Sequence, residues 1–502
     1  MRLLLVNVSR PTEVRIPQGL LYLASAVHEA GHRVTIFDEA LAENPRQFLD
    51  EILNFDAQII GLSVYSVPWH LKQVENITRT IKSSRKSTTI IWGGWHATLY
   101  PKASILNKDV DVVVRGPGEK PLCQLLNVFE HKQLWNSIPG LVIKNDGKVV
   151  ETGPECLSPE YLYPPLNFQL IDLDAYLRHH DAGTGILQYI TSRGCYGKCS
   201  FCVMSRLFQG RLIRKPQNQI VAELKSLLQS NKITAIRFSD DNAFTNNTGA
   251  LKLCDMVSFV TNGKGVSWRC PTRIDTLSRL TSDTYEKLIA SGCQGFAVGV
   301  ESGVNRVLQL MKKGTQVSQI DKALSALKEN KIECNLFFFL FGFTGETEKE
   351  AQKTLALARK VRLMFPSSDI VLYVYFPLMS DSSWLKPHIT ASMASHLSDA
   401  FADYYDAHLK NYRVAKVKIQ VLRYYFGASK IHENKPAGSI YALKIIYRKL
   451  LLLRLKYGVF VLPFEYYLSL SVLKKIKHTM TWVKKLKKVL TKESPKNDKN
   501  TL

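Results

Sequence analysis

From residue 1 to about 140, short apolar runs alternate with stretches of helical period. Residues 3–8, 33–37, 57–64, 88–94 and 110–115 are runs of strand length, and 19–30 and 69–83 carry the spacing of amphipathic helices between them. Five such units predict a parallel, doubly wound (Rossmann or flavodoxin-like) sheet, with ligands held beyond the carboxyl ends of its strands. The turns that fall there are Ser63-Val64-Tyr65-Ser66, Trp92-Gly93-Gly94-Trp95-His96 and Arg115-Gly116-Pro117-Gly118-Glu119. Their glycines serve either as tight turns or as places where a ligand meets bare backbone.

Residues 141–184 hold Pro154, Pro159, Pro164 and Pro165 and no sustained period, which predicts an irregular linker. A second series follows, with strands over 187–191, 235–239, 266–269, 295–300, 336–341 and 370–376 and helices starting near Asn218, Gly249, Ser282, Val317 and Glu348. Six parallel strands with crossover helices predict a partial α/β barrel over 185–380, with its site at the strands' carboxyl ends. Beyond it, 381–491 reads as helical, aromatic and basic, and 492–502 as a disordered tail. Val472, Ile476, Met480, Val483, Leu486 and Leu490 share one helical face, and Lys474, Lys477, Lys484, Lys485 and Lys488 lie mostly opposite. Such a helix suits either an anionic membrane surface or a solvated outer face packed on the barrel.

Composition changes this picture in two ways. The 502 residues carry a net charge of +24, which asks for anionic partners, yet residues 441–502 alone contribute fifteen Lys/Arg against three Asp/Glu. Half of the excess therefore sits in the last eighth of the chain, and no groove-reading or RNA-binding motif accompanies it, which argues against nucleic acid. The apolar start is too short for a signal-peptide core. No eighteen uncharged apolar residues run together; 457–473 comes nearest and is broken by Pro463 and Glu465. Nine cysteines are too few and too irregular for a disulfide scaffold, and three of them crowd into eight positions. These features predict a cytoplasmic protein, with the inner membrane face as the site of any peripheral contact.

The crowded segment is Ser192-Arg193-Gly194-Cys195-Tyr196-Gly197-Lys198-Cys199-Ser200-Phe201-Cys202, directly after the first barrel strand. Three thiolates at Cys-x3-Cys-x2-Cys suit three corners of a cubane with the fourth iron open. A closed zinc site would need a fourth ligand, and no second Cys/His pair at finger spacing follows. This spacing, with Phe201 before the last cysteine, resembles the radical S-adenosylmethionine (SAM) superfamily. The resemblance implies a [4Fe–4S] cluster on Cys195, Cys199 and Cys202 whose open iron binds SAM, cleaved by one electron to a radical that abstracts a substrate hydrogen. It assigns SAM contacts to Phe201, Asp240, Asp241, Arg273, Glu301, Ser302 and Gly342. Each has a physical rationale: a carboxylate at Asp240 or Asp241 pairs with the ammonium, Arg273 with the carboxylate, Glu301 with ribose hydroxyls, and Gly342 admits adenine. Carboxylates stand here where the family more often has Gly-Gly-Glu.

Over residues 1 to about 375 the chain resembles the class in which a cobalamin-binding domain precedes that barrel. Ser63-x-Tyr65 followed by Gly93-Gly94 looks like a variant of the turns that cradle the corrin's nucleotide tail, which implies cobalamin contacts at Ser63, Tyr65, Gly93, Gly94, Gly116 and Glu119. The Asp-x-His-x-x-Gly motif is missing, and His28 and His32 lack its context, so cobalamin bound without a histidine lower ligand is expected. The other reading is a cobalamin-free flavodoxin-like domain. With both cofactors the implied reaction is methylation of an unactivated carbon, and the alternatives are radical cyclisation or rearrangement without methyl transfer. Methylthiolation would call for three N-terminal cysteines, and only Cys123 and Cys156 precede Cys195. A non-enzymatic cobalamin- or redox-responsive module would not need the SAM-contacting strand ends. The expected partners are an electron donor such as flavodoxin or ferredoxin and a small-molecule or lipid-like substrate. No catalytic acid or base follows from the sequence, since Tyr373 and Tyr375 could equally line a cavity.

Overall fold

The computed structural model describes residues 1–375, apart from 11–12, 146, 155–156, 181–182, 231 and 334. The expected helical region over 381–491, its basic amphipathic helix, the 492–502 tail and the last five residues assigned to the barrel lie outside the described residues.

The first sheet holds β1 (Arg2–Asn7), β2 (Arg33–Asp38), β3 (Ile59–Ser63), β4 (Thr89–Gly93), β5 (Val112–Val114), β6 (Leu141–Asn145) and β7 (Lys148–Glu151) in the order β2-β1-β3-β4-β5-β6-β7. β1 to β5 are parallel, and the order reverses at β1, as in a doubly wound sheet. Period-two alternation sends Leu4, Val6, Ile60, Leu62 and Trp92 to one face and Leu3, Leu5, Ile59 and Ile91 to the other. Helix Pro68–Ser84 covers the first face through Leu71, Val74 and Ile77, and helix Gln18–Glu29 covers the second through Leu20, Ala24 and Val27.

One expectation fails here. Residues 141–151, read as the start of a linker, form the antiparallel pair β6–β7 and extend the first sheet past β5. Leu141, Val142 and Ile143 are buried, and the sequence Asn145-Asp146-Gly147 carries a hairpin signal that the later prolines overshadowed. The true connector, from 152 to 185, is tied down on both sides. Tyr176 donates to Asp38 Oδ2 (2.7 Å), Tyr163 donates to the Ile213 carbonyl (2.8 Å), and Leu162 and Tyr163 pack with Tyr22, Phe208 and Ile213.

The second sheet contains β8 (Ile186–Tyr189), β11 (Ala235–Phe238), β12 (Ser267–Arg273), β13 (Cys293–Glu301), β14 (Leu336–Phe341) and β15 (Asp369–Val374), six parallel strands in sequence order. After β8 a small antiparallel pair, β9 (Ser192–Gly194) with β10 (Leu212–Arg214), brackets the cysteine segment. β12 and β13 run longer than their apolar cores predicted, so Arg273 and Glu301 are each the last residue of a strand. Among the described residues no helix is long and apolar enough to cross a membrane.

Candidate active site

The carboxyl ends of both sheets open on one cavity of about 350 Å³. From the first domain it is lined by Ser63, Tyr65, Gly93, Gly94, Gly116 and Glu119, the six positions assigned to cobalamin. From the barrel side Ser192, Arg193, Ser239, Asp241, Met204 and Phe208 close it.

The first-domain turns are held in contact by backbone bonds, Val64 N to Gly93 O and His96 N to Val64 O, each 2.9 Å. Gly94 has φ +85°, and a Cβ there would stand 3.1 Å from Val64 N and 3.2 Å from Ser63 Oγ, so glycine is what lets the two turns meet. Gly116 N donates to Thr98 Oγ1 (3.0 Å), fixing the third turn. Tyr65 and Trp95 stand edge to face at 5.8 Å, both partly exposed at the cavity. Behind them His70 accepts from Tyr65 N (3.3 Å) and donates to the Val8 carbonyl (3.1 Å), and burial pushes its pKa down to about 4. His28 and His32 lie beside Arg2 and Arg33, where the strands begin, at the opposite end of the sheet from the Gly93-Gly94 turn.

On the barrel side β9 leads straight into Cys195. Asp240 and Asp241, adjacent in sequence, take different tasks. Asp240 is buried and accepts from Thr191 Oγ1 (2.6 Å) and Ser192 Oγ, which ties the ends of β8 and β11 together. Asp241 accepts from Gly194 N (2.7 Å) and lines the cavity, and burial pushes its pKa up to about 6. The Asp240 carboxylate is thus engaged within the protein, and Asp241 is the member of the pair that opens on the cavity.

The three thiols fit a cluster by their surroundings. Gly197 N points at Cys195 Sγ (3.3 Å), and the Arg273 guanidinium points at Cys199 Sγ (3.6 Å). Ser205 Oγ donates to the Cys199 and Cys202 carbonyls at 2.9 and 2.8 Å, shaping the turn between them. Burial raises the Cys195 and Cys202 thiols toward their protonated form, and a bound metal would take the place of the proton. Among the described residues no three His, Cys, Asp or Glu side chains stand close enough to grip one ion. A cubane asks instead for one thiolate on each of three irons.

Arg273 also pairs with Asp275 (2.9 Å) and donates to the Lys313 carbonyl. Glu301 sits at a register shift between β13 and β14 with φ +65°, a conformation a glutamate holds only under outside constraint. The constraint is Lys313, whose ammonium lies 3.0 Å from Glu301 Oε1 with both side chains buried. Gly299 leaves room for this pair, since a Cβ there would fall on the Glu301 carboxylate. Sequence reasoning missed Lys313, whose role shows only through its pairing with Glu301. Ser302 is engaged within the protein: its hydroxyl bonds Thr354 Oγ1 (3.0 Å) on helix Glu348–Met364 and accepts from Val304 N (3.2 Å). Phe201 packs against Val307, Met311, Leu340, Phe343 and Tyr375, beneath the Lys313 ammonium at 5.9 Å. Gly342, with φ +77°, donates its N–H to Glu346.

Residues 5–126 match the family model of the B12 binding domain, and residues 189–358 match that of the radical SAM superfamily. An uncharacterized methyltransferase of Pyrococcus horikoshii is 27% identical over 357 residues, covering 70% of this chain and 75% of that one. An anaerobic magnesium-protoporphyrin IX monomethyl ester cyclase of Synechocystis is 22% identical over 342 residues, covering 66% and 67%. Among solved structures, the radical SAM methyltransferase TsrM from Kitasatospora setae, with cobalamin and a [4Fe–4S] cluster bound, shares the fold with a TM-score of 0.59 at 19% identity, covering 74% of this chain and 72% of that one. A corrin-type first domain whose turns meet through Gly94, opening on a three-cysteine barrel, places this chain in the radical SAM superfamily as a cobalamin-dependent enzyme working with SAM and a [4Fe–4S] cluster.

Proposed function

We propose that the enzyme methylates an unactivated carbon of a small biosynthetic intermediate. The observation that carries this reading is the shared cavity, because it puts the turns suited to a corrin and the lead-in to the cysteine loop on facing walls. When bound, the cluster with SAM supplies one-electron bond cleavage and hydrogen abstraction, and cobalamin supplies a methyl carrier. In this reading Cys195, Cys199 and Cys202 hold three irons, and Arg273 steadies the Cys199 sulfur through its Nη1. Asp241 and Glu301 present carboxylates to SAM, the latter aimed by Lys313. Ser63, Gly93, Gly94 and Gly116 let the corrin's tail lie against backbone, and Met204, Leu207 and Phe208 exclude water on the facing wall. The electron comes from a low-potential donor such as a flavodoxin or ferredoxin. The methyltransferase relative supports the reaction class, and the cyclase relative supports a second reading, ring formation without methyl transfer.

Anaerobic reconstitution with iron, sulfide and hydroxocobalamin tests the assignment. About four irons and one corrin per chain are expected, with iron lost in Cys199→Ala. SAM labelled in its methyl group then separates the readings: label recovered in a small product supports methylation, and 5′-deoxyadenosine formed without label transfer supports ring formation. Iron without corrin would remove the methyl-carrier mechanism.

A further inference from the structure

Between the two domains lies a buried ion pair that neither family match assigns. Glu119, in the first turn of helix Glu119–Asn127, meets Arg193 Nη1 at 2.6 Å, with side-chain exposures of 4% and 14%. Arg193 belongs to β9, two residues ahead of Cys195, between Ser192, which bonds Asp240, and Gly194, which bonds Asp241. Its guanidinium lies 4.3 Å over the Tyr22 ring and 5.4 Å from Tyr163. Tyr22 is itself fixed, accepting from Lys215 Nζ (3.2 Å), which also donates to Tyr189 (3.0 Å) and pairs with Glu223.

Glu119 has one oxygen to spare. Its Oε2 is buried with no partner among the described residues, on a side chain that lines the cavity. A buried carboxylate oxygen without a donor is costly, so the site is built for a ligand that brings one. Arg193 already balances the charge, so the fitting donor is neutral, and the rim of cobalamin is set with primary amides.

Resting on the cobalamin reading above, we infer that Glu119 is a positioning residue joining the two cofactor sites: one oxygen holds Arg193 and with it the strand into the cysteine loop, and the other accepts a hydrogen bond from a corrin amide. Corrin binding and cluster loading then favour each other, and the coupling is reciprocal.

The full-length chain, cluster-free and reconstituted with iron and sulfide, is titrated with hydroxocobalamin while tryptophan fluorescence is followed; Trp95 at the cavity is the reporter. Cluster loading is expected to tighten the parent's Kd by about fivefold or more, a typical coupling factor. In Glu119→Gln the ratio falls to about one, a change that loss of structure alone would not single out. Should Glu119→Gln fail to fold, Arg193→Lys, which loses the planar fork, reports the same ratio. A parent ratio of one, or an undiminished ratio in the variant, overturns the joint and leaves the cofactor reading standing. No hydroxocobalamin binding by the parent in either form overturns both.

Discussion

Gly194→Ala is the sharpest single test of how the cysteine loop is held. Gly194 has φ +85°, where a side chain costs about 1–2 kcal/mol. A Cβ would also lie 2.8 Å from Phe208 Cβ and overlap the Arg211 carbonyl oxygen, which is backbone and cannot swing aside. Relief requires β10 to move off β9, where Leu212, Ile213 and Arg214 pair with Gly194, Arg193 and Ser192. Losing two of those bonds at about 1 kcal/mol each brings the local penalty to about 3–4 kcal/mol. That corresponds to a hundredfold or more in the population of the closed loop, since about 1.4 kcal/mol is tenfold. Gly263→Ala is the control, because Gly263 has φ +73° with nothing within 4 Å of the added Cβ, so it carries the backbone strain alone. Both variants are reconstituted with iron and sulfide and challenged with a chelator, and iron per chain is followed with time. Gly194→Ala should retain well under half of the parent's iron while Gly263→Ala stays near it. Equal iron retention in the two would refute the argument that β9–β10 geometry holds the loop.

Two further outcomes follow from buried charge and buried imidazole. Lys313→Met leaves the Glu301 carboxylate buried and unpaired and should cost about 3–5 kcal/mol in denaturant unfolding of the barrel, most of it recovered in Lys313→Met/Glu301→Gln; equal losses in single and double variants would contradict a desolvated pair. His70, with its pKa lowered to about 4 by burial, binds its proton only after unfolding between pH 6.5 and 4, so stability falls as pH drops through that window. For His70 alone the loss between pH 7 and 5 is about 2 kcal/mol, and melting curves of His70→Gln should show a correspondingly shallower acid slope.

The sequence carried the layered plan well because its signals are local. Apolar runs of strand length, helical spacing between them and three cysteines in eight positions are each readable in a short window. The orientation of strand-end side chains was not, because it depends on register. The shift between Gly299 and Glu301 turns Glu301 toward Lys313 and leaves Ser302 facing Thr354. Asp240 and Asp241 look equivalent in sequence, yet in the turn after β11 one staples Thr191 and Ser192 while the other accepts from Gly194 N and lines the cavity. Lys313 and Arg193 were invisible for another reason: each matters through a partner far off in the chain, Glu301 at 12 residues and Glu119 at 74.

The β6–β7 hairpin bears on any attempt to work with the corrin-binding half by itself. A fragment ending at residue 140 would stop one residue short of β6, stripping β5 of its antiparallel neighbour and exposing Val112, Val113 and Val114 along an open edge. Unpaired apolar edges of that kind recruit strands from other molecules, and such a fragment should aggregate. Extending it through Gly153 keeps the Thr152 hydroxyl on both the amide and the carbonyl of Leu141, and the Arg115–Glu151 bridge at 2.9 Å, so the sheet ends on a finished border.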